Sequence, residues 1–174
     1  MPFSLYDATV PGFIRTLNAI SGVMSKGKAH YEAEGMDLGT LPGERLCGDM
    51  LPFSFQINCV RHHSIEAIEG CQTGHFGIPK PLERDDFDGL HELVTKSISE
   101  LEALSPEDVN ALAGNDVTFA MGDLKIPFTA IGFLMSFSIP NFHFHATTAY
   151  DILRMKGAPL GKRDYLGALD VKMG

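Results

Sequence analysis

The stretch Thr129–Lys156, TAIGFLMSFSIPNFHFHATTAYDILRMK, decides how the rest of the chain is read. It reads as one long helix, closed by Gly157 and Pro159, the residues expected just past a helix C-terminus. Pro140 falls inside it, lacks an amide hydrogen, and is expected to kink it. Immediately upstream the pattern changes period. Val117, Phe119 and Met121, then Leu124, Ile126 and Phe128, alternate with polar or small residues around Gly122-Asp123. That predicts a β-hairpin over 116–128, with its turn at the glycine.

Working back toward the N-terminus, Phe87, Leu90, Leu93, Val94, Ile98, Leu101 and Leu104 form an apolar stripe, predicting a third helix from Asp86 to Leu104. The acidic run Asp85-Asp86-Phe87-Asp88 reads as its cap and dipole complement. Ser105-Pro106-Glu107-Asp108 starts a short helical turn that reaches Leu112. A second helix is expected over 50–69, with Asp49 as cap, Pro52 in the first turn and Gly70 as its stop. The first helix spans 4–35, capped by Ser4 with Asp7 three residues on, and stopped by Gly35. Pro11-Gly12 predicts a kink in it, or a restart after Thr9. Residues 36–50 and 71–84 read as loops, and 158–174 as an irregular tail. Four long helices, with a hairpin before the last, predict a mainly α-helical protein: a four-helix bundle in one domain over 1–174. The long connections mean that the order of the helices need not be a simple up-and-down one.

The bulk numbers exclude several classes. A length of 174 residues, 44% hydrophobic and 21% charged, is ordinary for a globular protein. The net charge is −8 with no basic cluster, so neither nucleic-acid binding nor an electrostatic membrane anchor is expected. No apolar run approaches the ~18 residues of a membrane span. The start, MPFSLYDATV, lacks the pattern of a signal peptide. Cys47, Cys59 and Cys71 contain no CxxC pair, so reduced thiols in a cytoplasmic protein are expected.

The histidines carry the chemistry. On a helical wheel, His63 shares a face with Phe55, Cys59, Val60 and Ala67, while His62 points away between Asn58 and Glu66. His63 is then either a core ligand or acid–base group, or a buried neutral histidine satisfied by a neighbour. His143 and His145 are two apart and fall on nearly opposite helix faces. His145, which shares its face with Asn141, is taken as the inward one. Tyr150 either donates a hydroxyl into the same site or packs. Cys59 stands four residues before His63, but a buried structural thiol outweighs a nucleophilic pair.

The run Pro140–Arg154, then Gly157 and Gly161–Gly167, together with Leu51–Gln56 and His62-His63-Ser64, resembles the bacterial domain-of-unknown-function family numbered nineteen ninety-three. That family is grouped with the DinB/YfiT-like four-helix bundles. The resemblance implies a homodimer, and a divalent metal such as nickel or zinc held by one histidine of the second helix and an HxxxH pair on the last. His63 matches the first of these and His145 the last. Asn141 stands where the middle histidine would be, and an amide oxygen is a poor substitute for imidazole on such ions.

Two functions follow. In one, His63 and His145 hold a metal, with Asn141, His62, His143 or water completing it, in a metal-dependent transferase or hydrolase. In the other, the bundle has a degenerate metal site, no resident cofactor and no catalysis. It then binds a small molecule among His62, Asn141, His143 and Tyr150, or serves as a dimeric partner protein. The residue pattern assigns no catalytic residue.

Overall fold

The computed structural model describes residues 3–172; Met1, Pro2, Met173 and Gly174, which belong to the expected domain and tail, lie outside the described residues. Helix α1 is Leu5–Ala33. Ser4 Oγ accepts from Asp7 N at 3.2 Å and Asp7 Oδ2 accepts from Ser4 N at 3.0 Å, so the expected capping box forms. Its C-terminus closes where expected, with Met36 N donating to Tyr31 O at 2.9 Å and Gly35 N to Glu32 O at 3.3 Å. No restart follows Thr9, because α1 runs unbroken through Pro11. Val10, Phe13, Leu17, Ile20, Val23 and Met24 are its buried stripe. Each such side chain contributes about 1.5–3 kcal/mol of burial.

The second helix departs most from expectation. It is two helices, α2 (Phe53–His62) and α3 (Ile65–Thr73). Pro52, not Asp49, precedes the first turn. Gly70 does not end it, and the chain turns at Gly74, whose φ is +75°. Gly70 serves packing instead: a Cβ there would sit 3.1 Å from the Phe76 ring. Phe76 belongs to a short strand, β1 (His75–Phe76), inside what reads as a loop.

Helix α4 (Phe87–Glu102) begins at Asp86, whose carboxylate accepts from Gly89 N at 2.9 Å. Helix α5 (Pro106–Ala111) is capped by Ser105 as expected. Strands β2 (Asp116–Met121) and β3 (Leu124–Thr129) form the hairpin, from Asp116↔Thr129 to Met121↔Leu124, with Gly122 at φ +57° in the turn. Strand β1 adds to β2 in parallel, pairing Phe76 with Phe119. The last long helix is α6 (Ala130–Phe133), a π turn (Leu134–Ser138) and α7 (Ile139–Met155). The tail is not wholly irregular: α8 (Lys162–Leu166) lies against α1, with Lys26 Nζ 2.5 Å from Asp164.

Helix α1 packs on α4 and α7, and α2 packs on the same two, so α1 and α2 face each other across the bundle. Phe13 of α1 meets Phe142 of α7 edge to face at 4.8 Å in the core. The fold is a mainly α-helical four-helix bundle with a small three-stranded sheet at one end. No helix among the described residues is long and apolar enough to cross a membrane.

Candidate histidine site

The break between α2 and α3 shapes the site. His63 ends α2, its N–H donating to Cys59 O at 2.8 Å, and Ser64 then leaves helical geometry at φ −115°, ψ −94°. Consecutive residues of a regular helix cannot both face one core. Here His62 is 5% and His63 6% exposed, and their rings stand 5.1 Å apart. The expectation that His62 points away is therefore corrected. Its ring is covered by Phe76, stacked at 4.1 Å, which the extra strand brings over it.

His62 is fully engaged. Nδ1 lies 2.7 Å from Glu66 Oε2 and Nε2 lies 3.0 Å from Gly77 O. Both ring nitrogens are thereby taken up by protein oxygens, and neither is open to a further partner. Glu66 also takes Arg61 Nε at 3.3 Å, and its carboxyl is held below the usual range, chiefly by the hydrogen bond from His62.

His145 comes from α7. Its ring lies 5.8 Å from that of His63 and nearly parallel to it, at 9°. Its tautomer follows from Gln56, a 2% exposed residue on α2. Gln56 Nε2 donates to Leu51 O at 2.8 Å, which leaves Oε1 to accept from His145 Nδ1 at 2.7 Å. The lone pair of neutral His145 is therefore on Nε2. Burial, reinforced by His62, pushes His145 down to about 4. Burial, then His62 and His145, pushes His63 down to about 3. Both rings are neutral near pH 7. His63 Nδ1 is buried with no hydrogen-bond partner, which marks it as the site's unfilled position.

The other candidates lie apart or are committed. Asn141 Nδ2 donates to Phe137 O at 2.7 Å. His143 is exposed, with Nδ1 3.1 Å from the Tyr165 hydroxyl, and burial with the nearby Arg15 guanidinium lowers its pKa. The Tyr150 ring meets that of the same Tyr165 edge to face at 5.9 Å. The structure thus brings His62, His63 and His145 together, and groups His143 and Tyr150 elsewhere, around α8. Burial pushes the Cys59 thiol up to about 12, so it stays protonated and inert.

A three-histidine metal centre does not fit these residues. Two imidazoles converge, but both nitrogens of His62 are taken by Glu66 and Gly77 O, and Asn141 can offer only an amide oxygen, a poor substitute for imidazole on such ions. Among the described residues no group of three or more His, Cys, Asp or Glu side chains could hold a metal ion.

The family profile described as Domain of unknown function (DUF1993) matches residues 5–166. The chain belongs to the DUF1993 family. The bundle is also similar to a crystal structure described as that of a DinB family member protein from Shewanella denitrificans. The two are 27% identical and align with a TM-score of 0.82 over 98% of this chain and 96% of that one. The DUF1993 fold is thus DinB-like. No curated protein matches the chain.

Four residues of this DUF1993 site escape a reading by helical periodicity. Gln56 fixes His145, Glu66 fixes His62, and Phe76 and Phe137 close over His63 at 5.6 and 5.7 Å. Glu66 had a signal, since it stands four residues after His62 and is placed to orient it, whereas Gln56 had none, because the histidine it fixes lies 89 residues away. Phe76 had none, because the strand that carries it is two residues long.

Proposed function

We propose that this DUF1993 bundle is a non-catalytic, dimeric small-ligand-binding protein whose core holds a degenerate metal site. His63 and His145 would offer imidazole lone pairs to a hydrogen-bond-donating ligand. One observation carries the reading: the third imidazole beside the pair, that of His62, has both nitrogens committed, to Glu66 and Gly77 O, and Asn141, whose Nδ2 donates to Phe137 O, has only an amide oxygen to offer, a poor substitute for imidazole on such ions. Two protein ligands alone leave an ion of the zinc or nickel type short of the three or four it takes in stable protein sites.

A second reading, a metal-dependent transferase or hydrolase, draws on the unpartnered His63 Nδ1 and on the orientation of His145 by Gln56, the kind of outer partner that metal-bound histidines have. Metal analysis and zinc titration separate the two. Protein purified without an affinity tag is expected to carry less than about a tenth of an equivalent of any transition metal. Asn141→His would restore the histidine pair four residues apart on α7 and raise zinc affinity at least about tenfold, an effect of ~1.4 kcal/mol. Stoichiometric metal in the unaltered protein would overturn the proposal in favour of the second reading. The dimer is checked by light scattering on the eluting protein.

A further inference from the structure

Beyond Glu66, on the side away from His62, lies a cavity of about 400 Å³ between α2, the 77–86 segment and α4. That volume is within the range of small-molecule sites. Pro81, Leu82 and Leu93 give it apolar lining, and Arg61 and Lys80 bring positive charge. Its wall is held in place: Asn58 Nδ2 donates to Lys80 O at 2.8 Å, and Gly89 lets the Arg84 side chain lie on the first turn of α4, where a Cβ would be 2.6 Å from Arg84 Cβ.

The lining cations differ in how far they are paired, and Lys96 lies 3.9 Å from Glu100. Glu66 is shared between His62 and Arg61. Arg84 is held by Asp86 and Glu92. Arg61 uses Nε on Glu66 and Nη1 on Ser97 and Glu100, at 3.1 and 2.5 Å, which leaves Nη2 without an acceptor among the described residues. Lys80 has no carboxylate partner there. In a protein of net charge −8, one lysine without a carboxylate partner and the open Nη2 edge of an otherwise paired arginine, both facing an apolar-lined hollow, amount to an incomplete anion site. Glu83 is the lining carboxylate without a cation partner among the described residues, and it opposes an anion.

We propose that this cavity binds a small organic carboxylate with a compact apolar body. The carboxylate would sit against Lys80 Nζ and the open edge of the Arg61 guanidinium, with the body on Pro81, Leu82 and Leu93. The site is separate from the His63–His145 pair and does not depend on what that pair binds.

Amide-resolved NMR titration tests it with three probes at matched ionic strength: phenylacetate, its neutral isostere phenylacetamide, and inorganic phosphate. Phenylacetate is expected to shift the amides of Arg61, Lys80, Leu82 and Leu93 and to bind at least about fivefold more tightly than either other probe. Lys80→Met should weaken phenylacetate about fivefold, and Glu83→Gln should tighten it about twofold. Both changes are on the surface and leave the bundle's core untouched. Equal binding of the acid and the amide overturns the proposal, as do unshifted amides at these positions or an unchanged affinity in Lys80→Met. Phosphate binding as tightly as phenylacetate overturns the organic part of it.

Discussion

Two long rods of this bundle each carry a proline on an exposed face, and they deal with it differently. Helix α1 runs unbroken through Pro11, and the rod built from α6 and α7 carries a π turn just before Pro140. An exposed proline frees one carbonyl, which water can satisfy, so it does not by itself force an irregular turn. What sets the second rod apart is what its irregular turn delivers. Phe137 meets the rings of His63, Phe76, Phe119, Phe128 and Phe133 at 5.0–6.4 Å, and the hydroxyl of buried Ser138 donates to His63 O at 3.0 Å. That carbonyl lies at the break between α2 and α3. The two interrupted helices therefore meet at their interruptions, and the histidine pair sits where they meet. Irregular helical turns concentrate at functional positions because they aim side chains that a regular helix would turn aside. In α1 nothing calls for such aiming, and there the proline is simply absorbed.

The largest effect is expected from removing the side chain that the π turn presents. Phe137→Ala should cost about 3 kcal/mol in urea unfolding, since five aromatic neighbours lose a partner. Exposed Met135, on the same turn, should change stability by less than about 0.5 kcal/mol when cut to alanine. Equal effects at the two positions would mean that the turn does not organise the site.

A smaller effect comes from pH. His63 titrates near 6.5 when unfolded and is pushed down to about 3 in the fold. Between those values the unfolded chain binds a proton that the folded chain refuses, so stability is full above pH 6.5 and falls as pH is lowered. At pH 5 the loss from this one buried ring is about 2 kcal/mol. His63→Leu should lose about that much less between pH 7 and pH 5 than the unaltered protein does. Parallel pH profiles for the two proteins would show that His63 is not held neutral by burial.

The smallest effect compares the prolines directly. Pro11→Ala lets residue 11 donate to Asp7 O within a regular helix and should stabilise by about 1 kcal/mol. Pro140→Ala should stay within about 0.5 kcal/mol, because the π turn has already displaced the usual acceptor, with Ile139 N donating to Leu134 O. A gain at Pro140 as large as that at Pro11 would mean that the proline, not the site, creates the turn.

Much of this was legible in the residues alone. The Ser4–Asp7 box, the Gly35 stop, the Asp86 and Ser105 caps and the Gly122-Asp123 hairpin turn all stand where local chemistry puts them. His63 and His145 read as the inward residues of their helices, and their rings lie 5.8 Å apart. Helical periodicity failed at His62, whose predicted outward direction assumed a regular helix through Ser64 and open solvent over its face. It failed at Gly70 too, which reads as a stop but is small because Phe76 packs on it. His143 and Tyr150 looked like neighbours of the core histidines and instead gather around Tyr165, on a short helix with too few residues to show a period.

By itself the sequence determined where helices and turns begin and end and which stripes are apolar, because those depend on hydrogen bonds and side-chain spacing within a turn or two. Only the tertiary structure decided which polar groups meet and which are already taken. Gly77 O and Glu66 together claim both nitrogens of His62, and Gln56 sets the tautomer of His145. Ring contacts and hydrogen bonds such as these form over a few ångströms, between groups up to 89 residues apart in the chain. A helix break, a π turn and a two-residue strand shift those positions by more than the contacts tolerate, which is why no local pattern could have shown that the third imidazole beside the pair is already taken.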